Sequence, residues 1–361
     1  MSLRTEEPII AIDVRAELGE GAIWDDRAGL LYWVNIAGRT LNRFDPATGR
    51  NTSVSTGEQV TTVVPLEAEP NVVVGLENSV AVMNPETGER LVSVPLEEDM
   101  PENRCNDGKC GPDGSLYIGT MSTVRRTGSA SLYRVAPDYT VQPCFGGVTV
   151  SNGIVWNSDE TKVYYIDTSS RGIDVIDFDR ATGALTNRRQ LIAVPPEYGK
   201  PDGMTIDTEG RLWVAMFHGA GVTVWDPERA ELVRKVDIPA KNVTSVAFGG
   251  PEMSTLYATT AAIGLAPADQ ERFPATGAVF AVKTSASGRR AYRFAGVTGS
   301  GAEGQRMAST HESASEPEPD TPVQNSPDAS TTDSADGDQE SDQLAEDDND
   351  TNELPPLPET D

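Results

Sequence analysis

Glu20, Asn106, Asn152 and Asp202 are far apart in the chain, yet each stands the same distance ahead of a short apolar segment. Counting back 10 or 11 positions from Leu31, Val73, Leu116, Val163, Leu212 and Leu256 gives Glu20, Thr62, Asn106, Asn152, Asp202 and Ser245, every one polar. Carboxylate and carboxamide oxygens are hard donors. A set with two carboxylates and one or two amides suits Ca²⁺, Mg²⁺ or Mn²⁺ better than a thiophilic metal, and Zn²⁺ also accepts oxygen ligands. A plainer reading competes: Asn152-Gly153 and Asp202-Gly203 are good turn dipeptides that could simply lead the chain into a strand. Glu20 is a poor turn residue, so that reading leaves it unexplained.

These residues can meet only if the fold brings six distant segments together. The segments that follow the polar residues are short, β-branched and aromatic, as in Leu31-Tyr32-Trp33, Leu116-Tyr117-Ile118, Val163-Tyr164-Tyr165, Leu212-Trp213-Val214 and Leu256-Tyr257-Ala258, with Val72-Val73-Val74 as a weaker copy. Such runs between Gly, Asn, Asp and Pro clusters read as strands. They recur at intervals of 42, 43, 47, 49 and 44 residues. Turn signals follow several of them, at Asp45 to Gly49, Asn84 to Gly88 and Asp179 to Gly183, with a partial copy at Asp226-Pro227. A period of 40–50 residues with several strands each marks a β-propeller blade. The expected fold is all-β: a six-bladed β-propeller over residues 8–300. A sandwich or barrel fits the local turn spacing but not the longer period. If Ala22-Ile23-Trp24, Val63-Val64, Ile154-Val155-Trp156, Met204-Thr205-Ile206 and Val246-Ala247-Phe248 are innermost strands, the polar residues share one mouth of the central channel. Convergent polar groups in a concave site are a binding-site signature.

Charge narrows the partners. The 361 residues hold 56 acids, 29 Lys and Arg, and two histidines, for a net charge of −27. That balance argues against binding nucleic acid or an anionic membrane surface. No apolar run is long enough for a transmembrane helix, and the first residues lack a signal-peptide core. Residues 301–361 contain 18 of the acids, one base and no aromatic residue, leaving about −10 for the rest. Such a segment cannot bury enough apolar surface to offset its ordering entropy, so a disordered acidic tail is expected, with an acidic interaction tail as the alternative.

Cys105, Cys110 and Cys144 lack the spacing of a disulfide framework or zinc site and read as buried thiols of a reducing, cytoplasmic protein. Two histidines disfavour a His-rich metal site or a Ser-His-Asp triad. His218, just after the fifth aromatic strand, is either a base suited to neutral pH or a strand-end residue. Asp107 and Lys109 flank Asn106, where a turn role and a supporting role compete. His311 falls in the tail and carries no assignment.

Several motifs occur in one order across residues 12–296: Leu18-Gly-Glu-Gly21 leading to Trp24, Leu31-Tyr-Trp-Val34, Arg104-Cys-Asn-Asp-Gly-Lys109, Gly119-Thr-Met121, Ser151-Asn-Gly153, Tyr165-Ile-Asp-Thr168, Pro201-Asp-Gly-Met204, Leu212-Trp-Val-Ala215 and Phe248-Gly-Gly250. In these motifs the chain resembles the regucalcin (senescence marker protein), gluconolactonase and luciferin-regenerating enzyme-like family. The resemblance implies a six-bladed propeller with one divalent metal in its channel, held by Glu20, Asn152 and Asp202. It implies substrate contacts by Arg104 and Asn106, and hydrolysis of a sugar lactone to an aldonic acid. In such chemistry Asp202 is the candidate catalytic residue, binding the metal or accepting a proton from the attacking water. The small substrate would be taken by a monomer. Regucalcin-like members are also described as calcium binders, so a non-catalytic metal-binding protein is the alternative, and a propeller scaffold for protein partners is a third. Some members place a substrate-contacting glutamate after Gly-Thr-Met. This chain has Ser122-Thr-Val-Arg125 there, so sugar-hydroxyl recognition in that corner must differ.

Overall fold

A computed structural model describes residues 3–67 and 70–298. They form six four-stranded antiparallel sheets arranged as a six-bladed β-propeller. The first strands of the blades are Gly19–Asp25, Thr62–Pro65, Asn103–Cys110, Ser151–Trp156, Lys200–Ile206 and Val243–Gly249. Each packs against the first strands of both neighbours, so the six ring the channel axis. The second strands are Leu30–Asn35, Val72–Gly75, Leu116–Ser122, Lys162–Asp167, Leu212–Phe217 and Thr255–Thr260, the six recurring segments of the sequence. The expected acidic tail, residues 301–361, lies outside the described residues.

The recurring aromatics have a packing reason: they wedge between blades. Trp24 stacks on Tyr257 at 5.9 Å, Tyr117 packs on Trp156 at 5.1 Å, and Trp213 meets Phe248 edge-on at 5.2 Å. Each pair joins neighbouring blades, and burying each such ring is worth roughly 2–3 kcal/mol.

The turn motifs join third to fourth strands. Asp45 accepts from the Ala47 amide at 2.8 Å and from the Thr48 hydroxyl at 2.9 Å, while Gly49 closes the turn at φ 70°. Asn84–Gly88 and Asp179–Gly183 repeat this arrangement. The fourth copy, Asp226 to Ala230, puts an alanine in the left-handed position at φ 55°.

Two features close the ring. Ile9–Ile12 pairs antiparallel with Val279–Lys283, so the sixth blade takes its outermost strand from the N-terminal segment. The segment after Lys283 then crosses the channel end at which the first strands finish. The Ser287 carbonyl accepts from Thr208, the Arg289 guanidinium donates to the Trp156 and Asn157 carbonyls, and the Tyr292 hydroxyl donates to Glu160 at 2.7 Å. Arg293 pairs with Asp25 and Asp26, Phe294 bonds to Pro65, and Ala295 bonds to Gly114. This strap and the inner strands enclose a largely apolar cavity walled by Trp24, Ile154, Trp156, Ile206, Phe248 and Tyr292.

Candidate active site in the channel mouth

All six residues aligned by the repeat lie on first strands, and all six are buried. The local cause is a recurring irregularity of the ladder. In the first blade Gly21-Ala22 face only Trp33, and in the third Asn106-Asp107 face only Gly119. In the fourth and fifth, Asn152-Gly153 face Ile166 and Asp202-Gly203 face Ala215. Two residues against one is a β-bulge, which bends the strand and re-aims its side chains. Asn-Gly and Asp-Gly are therefore bulge residues inside strands rather than turns leading into them. Gly21 takes φ 60°. A Cβ on Gly153 would stand 2.6 Å from Met204 Cβ, and one on Gly203 would stand 2.8 Å from Ser245 Cα. Glycine after the functional residue thus lets neighbouring blades approach closely. Thr62 sits on a short strand without a bulge, where its hydroxyl donates to the Gly108 carbonyl at 3.1 Å.

A hydrogen-bonded chain links the polar residues across three blades. Arg104 Nη1 donates to Asn106 Oδ1 at 2.8 Å. Asn106 Nδ2 donates to the Ser151 carbonyl at 2.7 Å and to Asn152 Oδ1 at 3.2 Å. Asn152 Nδ2 donates to the Thr168 hydroxyl at 2.7 Å, which in turn donates to the Pro201 carbonyl next to Asp202 at 2.8 Å. Each amide oxygen accepts one bond in this chain, which leaves one lone pair on each for a further partner. Gly119 carries no Cβ because Ser151 Oγ would lie 1.7 Å from it.

Electrostatics single out the carboxylates. Among the described residues, the ion pairs include none with Glu20, Asp107 or Asp202. Burial, followed by the charge of Asp107, pushes Glu20 up to about 8. Burial raises Asp202 well above the usual carboxylate range, with Glu20 and then Asp107 adding to it. Arg104 is held down to about 10 by burial, against the pull of Glu20. Uncompensated buried acids are costly, and a bound cation is one of the few ways to offset them. No three His, Cys, Asp or Glu side chains converge on one point among the described residues. Two carboxylates beside amide oxygens make a hard donor set, the chemistry that suits calcium or magnesium.

Asp107 belongs to this cluster, although its sequence context did not separate a turn role from a supporting one. It is buried, its Oδ1 accepts from the Gly108 amide at 2.7 Å, and Oδ2 has no partner. Lys109 donates to the Met204 carbonyl across the channel. Neither placement has a local signal beyond adjacency to Asn106. His218 occupies the strand-end position, half-buried at φ 63° against the Phe217 ring. Burial and then Lys200 lower its pKa, while a hydrogen bond with Asn242 opposes them. After Met121, Ser122 is buried and accepts from the Arg126 amide, and Val124 is exposed.

Residues 18–262 match the family model described as the SMP-30/Gluconolactonase/LRE-like region. Regucalcin of Xenopus laevis is 36% identical over 271 residues, covering 74% of this chain and 90% of that protein. The Bacillus subtilis (strain 168) protein named "Putative sugar lactone lactonase YvrE" is 34% identical over 291 residues, covering 80% of this chain and 99% of its own. A crystal structure from Agrobacterium tumefaciens str. C58, titled as a calcium-binding protein, regucalcin, superposes with a TM-score of 0.75 at 28% identity, over 80% of this chain and 97% of that one.

Proposed function

The chain belongs to the SMP-30/gluconolactonase/LRE-like family, and we propose that it hydrolyses a sugar lactone to the aldonic acid at the bulged mouth of its channel, with a divalent cation held by Glu20, Asn152 and Asp202. The observation that carries this reading is the pair of buried carboxylates without ion-pair partners, Glu20 and Asp202, beside the hydrogen-bonded amides of Asn106 and Asn152. The relative named for lactonase activity and the one titled as calcium-binding support its two halves.

When bound, the cation would supply Lewis-acid polarisation of the lactone carbonyl. The protein's own groups do the rest. Asp202 would accept the proton of the attacking water, as a carboxylate that the bound cation keeps ionised against the burial that otherwise favours its neutral form. Arg104 presents donors in a planar fork beside Asn106, a geometry that suits ring hydroxyls or the carboxylate that forms. Asn106 is fixed by Arg104 and Asn152 and sets the edge of the sugar site. A lactone is an activated ester, so a polarised carbonyl and one base suffice without a serine nucleophile.

Purified protein given a panel of sugar lactones and a pH indicator, with Ca²⁺, Mg²⁺, Mn²⁺ or Zn²⁺ in turn, should release acid above the spontaneous rate and stop when a chelator is added. Metal binding by calorimetry without acid release on any lactone would favour a non-catalytic metal-binding protein instead.

A further inference from the structure

The geometry points to Lys109 as the positioning residue of this site: a strut that crosses the channel from the third blade and pins the Asp202-Gly203-Met204 bulge of the fifth. The inference rests on the metal-site reading for its consequence, but the pinning itself is a property of the protein alone. Its side chain donates to the Met204 carbonyl. The fourth blade stands between the third and fifth, so this bond spans the channel instead of joining neighbours. Met204 is two residues from Asp202 and pairs with Val214 at the point where the ladder resumes after the bulge.

The bulge needs such a pin. Asp202 and Gly203 both face Ala215, so the ladder leaves one of them unpaired there. Sideways, the segment is wedged between Gly153 and Ser245. From the third blade, Lys109 reaches it at the Met204 carbonyl. The same ammonium lies within electrostatic reach of Asp107 and Glu20, and Lys109 also lines the apolar cavity. Asp107, whose Oδ2 has no hydrogen-bond partner, gains its nearest compensating cation from this arrangement.

Three measurements on the full chain test the role. Hydrogen exchange of residues 202–205 in the metal-free protein should quicken at least tenfold in Lys109→Met, which keeps the volume and removes the donors. Calcium affinity by calorimetry should weaken at least tenfold in Lys109→Met and return to within threefold of wild type in Lys109→Arg. On whichever lactone the wild type turns over, Lys109→Met should lower kcat with KM nearly unchanged. Unchanged exchange in a folded Lys109→Met protein overturns the proposal, whether or not the wild type binds metal. So does tighter calcium binding, which would mean that the site feels the lysine's charge and not its reach, and so does Lys109→Arg performing as poorly as Lys109→Met. Wild type that neither binds a divalent cation nor hydrolyses a lactone would sink the functional reading, yet the exchange result would still decide the strut.

Discussion

The two ends of the channel are made from the same six strands and behave as opposites. Toward the mouth, the strands of blades one, three, four and five bulge and present Glu20, Asn106, Asn152 and Asp202. Arg104 Nε and Asp107 Oδ2 are buried there without a hydrogen-bond partner. Toward the other end the ladders are regular, the walls are Trp24, Trp156, Ile206 and Phe248, and the strap holds them with satisfied bonds from Arg289, Arg293 and Phe294. The contrast separates function from stability: one end concentrates groups that the fold alone leaves uncompensated, and the other supplies the bonds that tie the ring.

The largest expected effect breaks the functional end alone. Asp202→Ala should lower lactone turnover by at least ~10³-fold, since on the proposed mechanism it removes a proton acceptor and a metal ligand together. Its metal-free thermal midpoint should stay level or rise, because a repelling buried carboxylate is gone. A midpoint well below wild type would show that this end also holds the fold.

The converse break is Arg293→Ala. It strands Asp25, a buried partner with only 6% of its side chain exposed, and should cost about 3 kcal/mol in denaturant unfolding while kcat stays near wild type. A loss of turnover in the folded variant would mean that the strap acts on the mouth.

Acidity offers a third way to sharpen the difference. The raised pKa of Glu20 means that the folded protein prefers its neutral form. The stabilisation is therefore full below the ordinary carboxylate pKa and is lost as pH rises through about 8. Metal-free protein should lose stability across that window, and excess calcium should abolish the trend. Flat stability in chelator between pH 5 and 8 would contradict the burial assigned to the mouth.

The smallest effect lies away from both ends. Ala230→Gly relieves a left-handed alanine in the fourth turn copy and should stabilise the protein by roughly 0.5–1 kcal/mol without touching activity, read from the shift of the unfolding midpoint.

Much of this molecule was legible from its residues. The aromatic strands and the Asp/Asn-to-Gly turns are local and repeat, so their period gave six blades, and their spacing put Glu20, Asn152 and Asp202 on equivalent strands. Bulges were not legible, because Asn-Gly and Asp-Gly serve turns and bulges equally well until a partner strand shows two residues facing one. Asp107 looked ambiguous for a related reason: the acids it acts on, Glu20 and Asp202, belong to blades one and five, far away in sequence.

The sequence by itself determined the repeat, the register of the polar residues and the kind of ligand they suit, since each follows from a short stretch of chain. Only the tertiary structure decided how the ring closes, which acids go uncompensated and what crosses the channel. Ile9–Ile12 joins Val279–Lys283, Arg293 finds Asp25, and Lys109 reaches Met204 across long separations with no periodic signal. Such contacts leave no local trace because their energy comes from burial shared by segments that meet only once the blades are assembled.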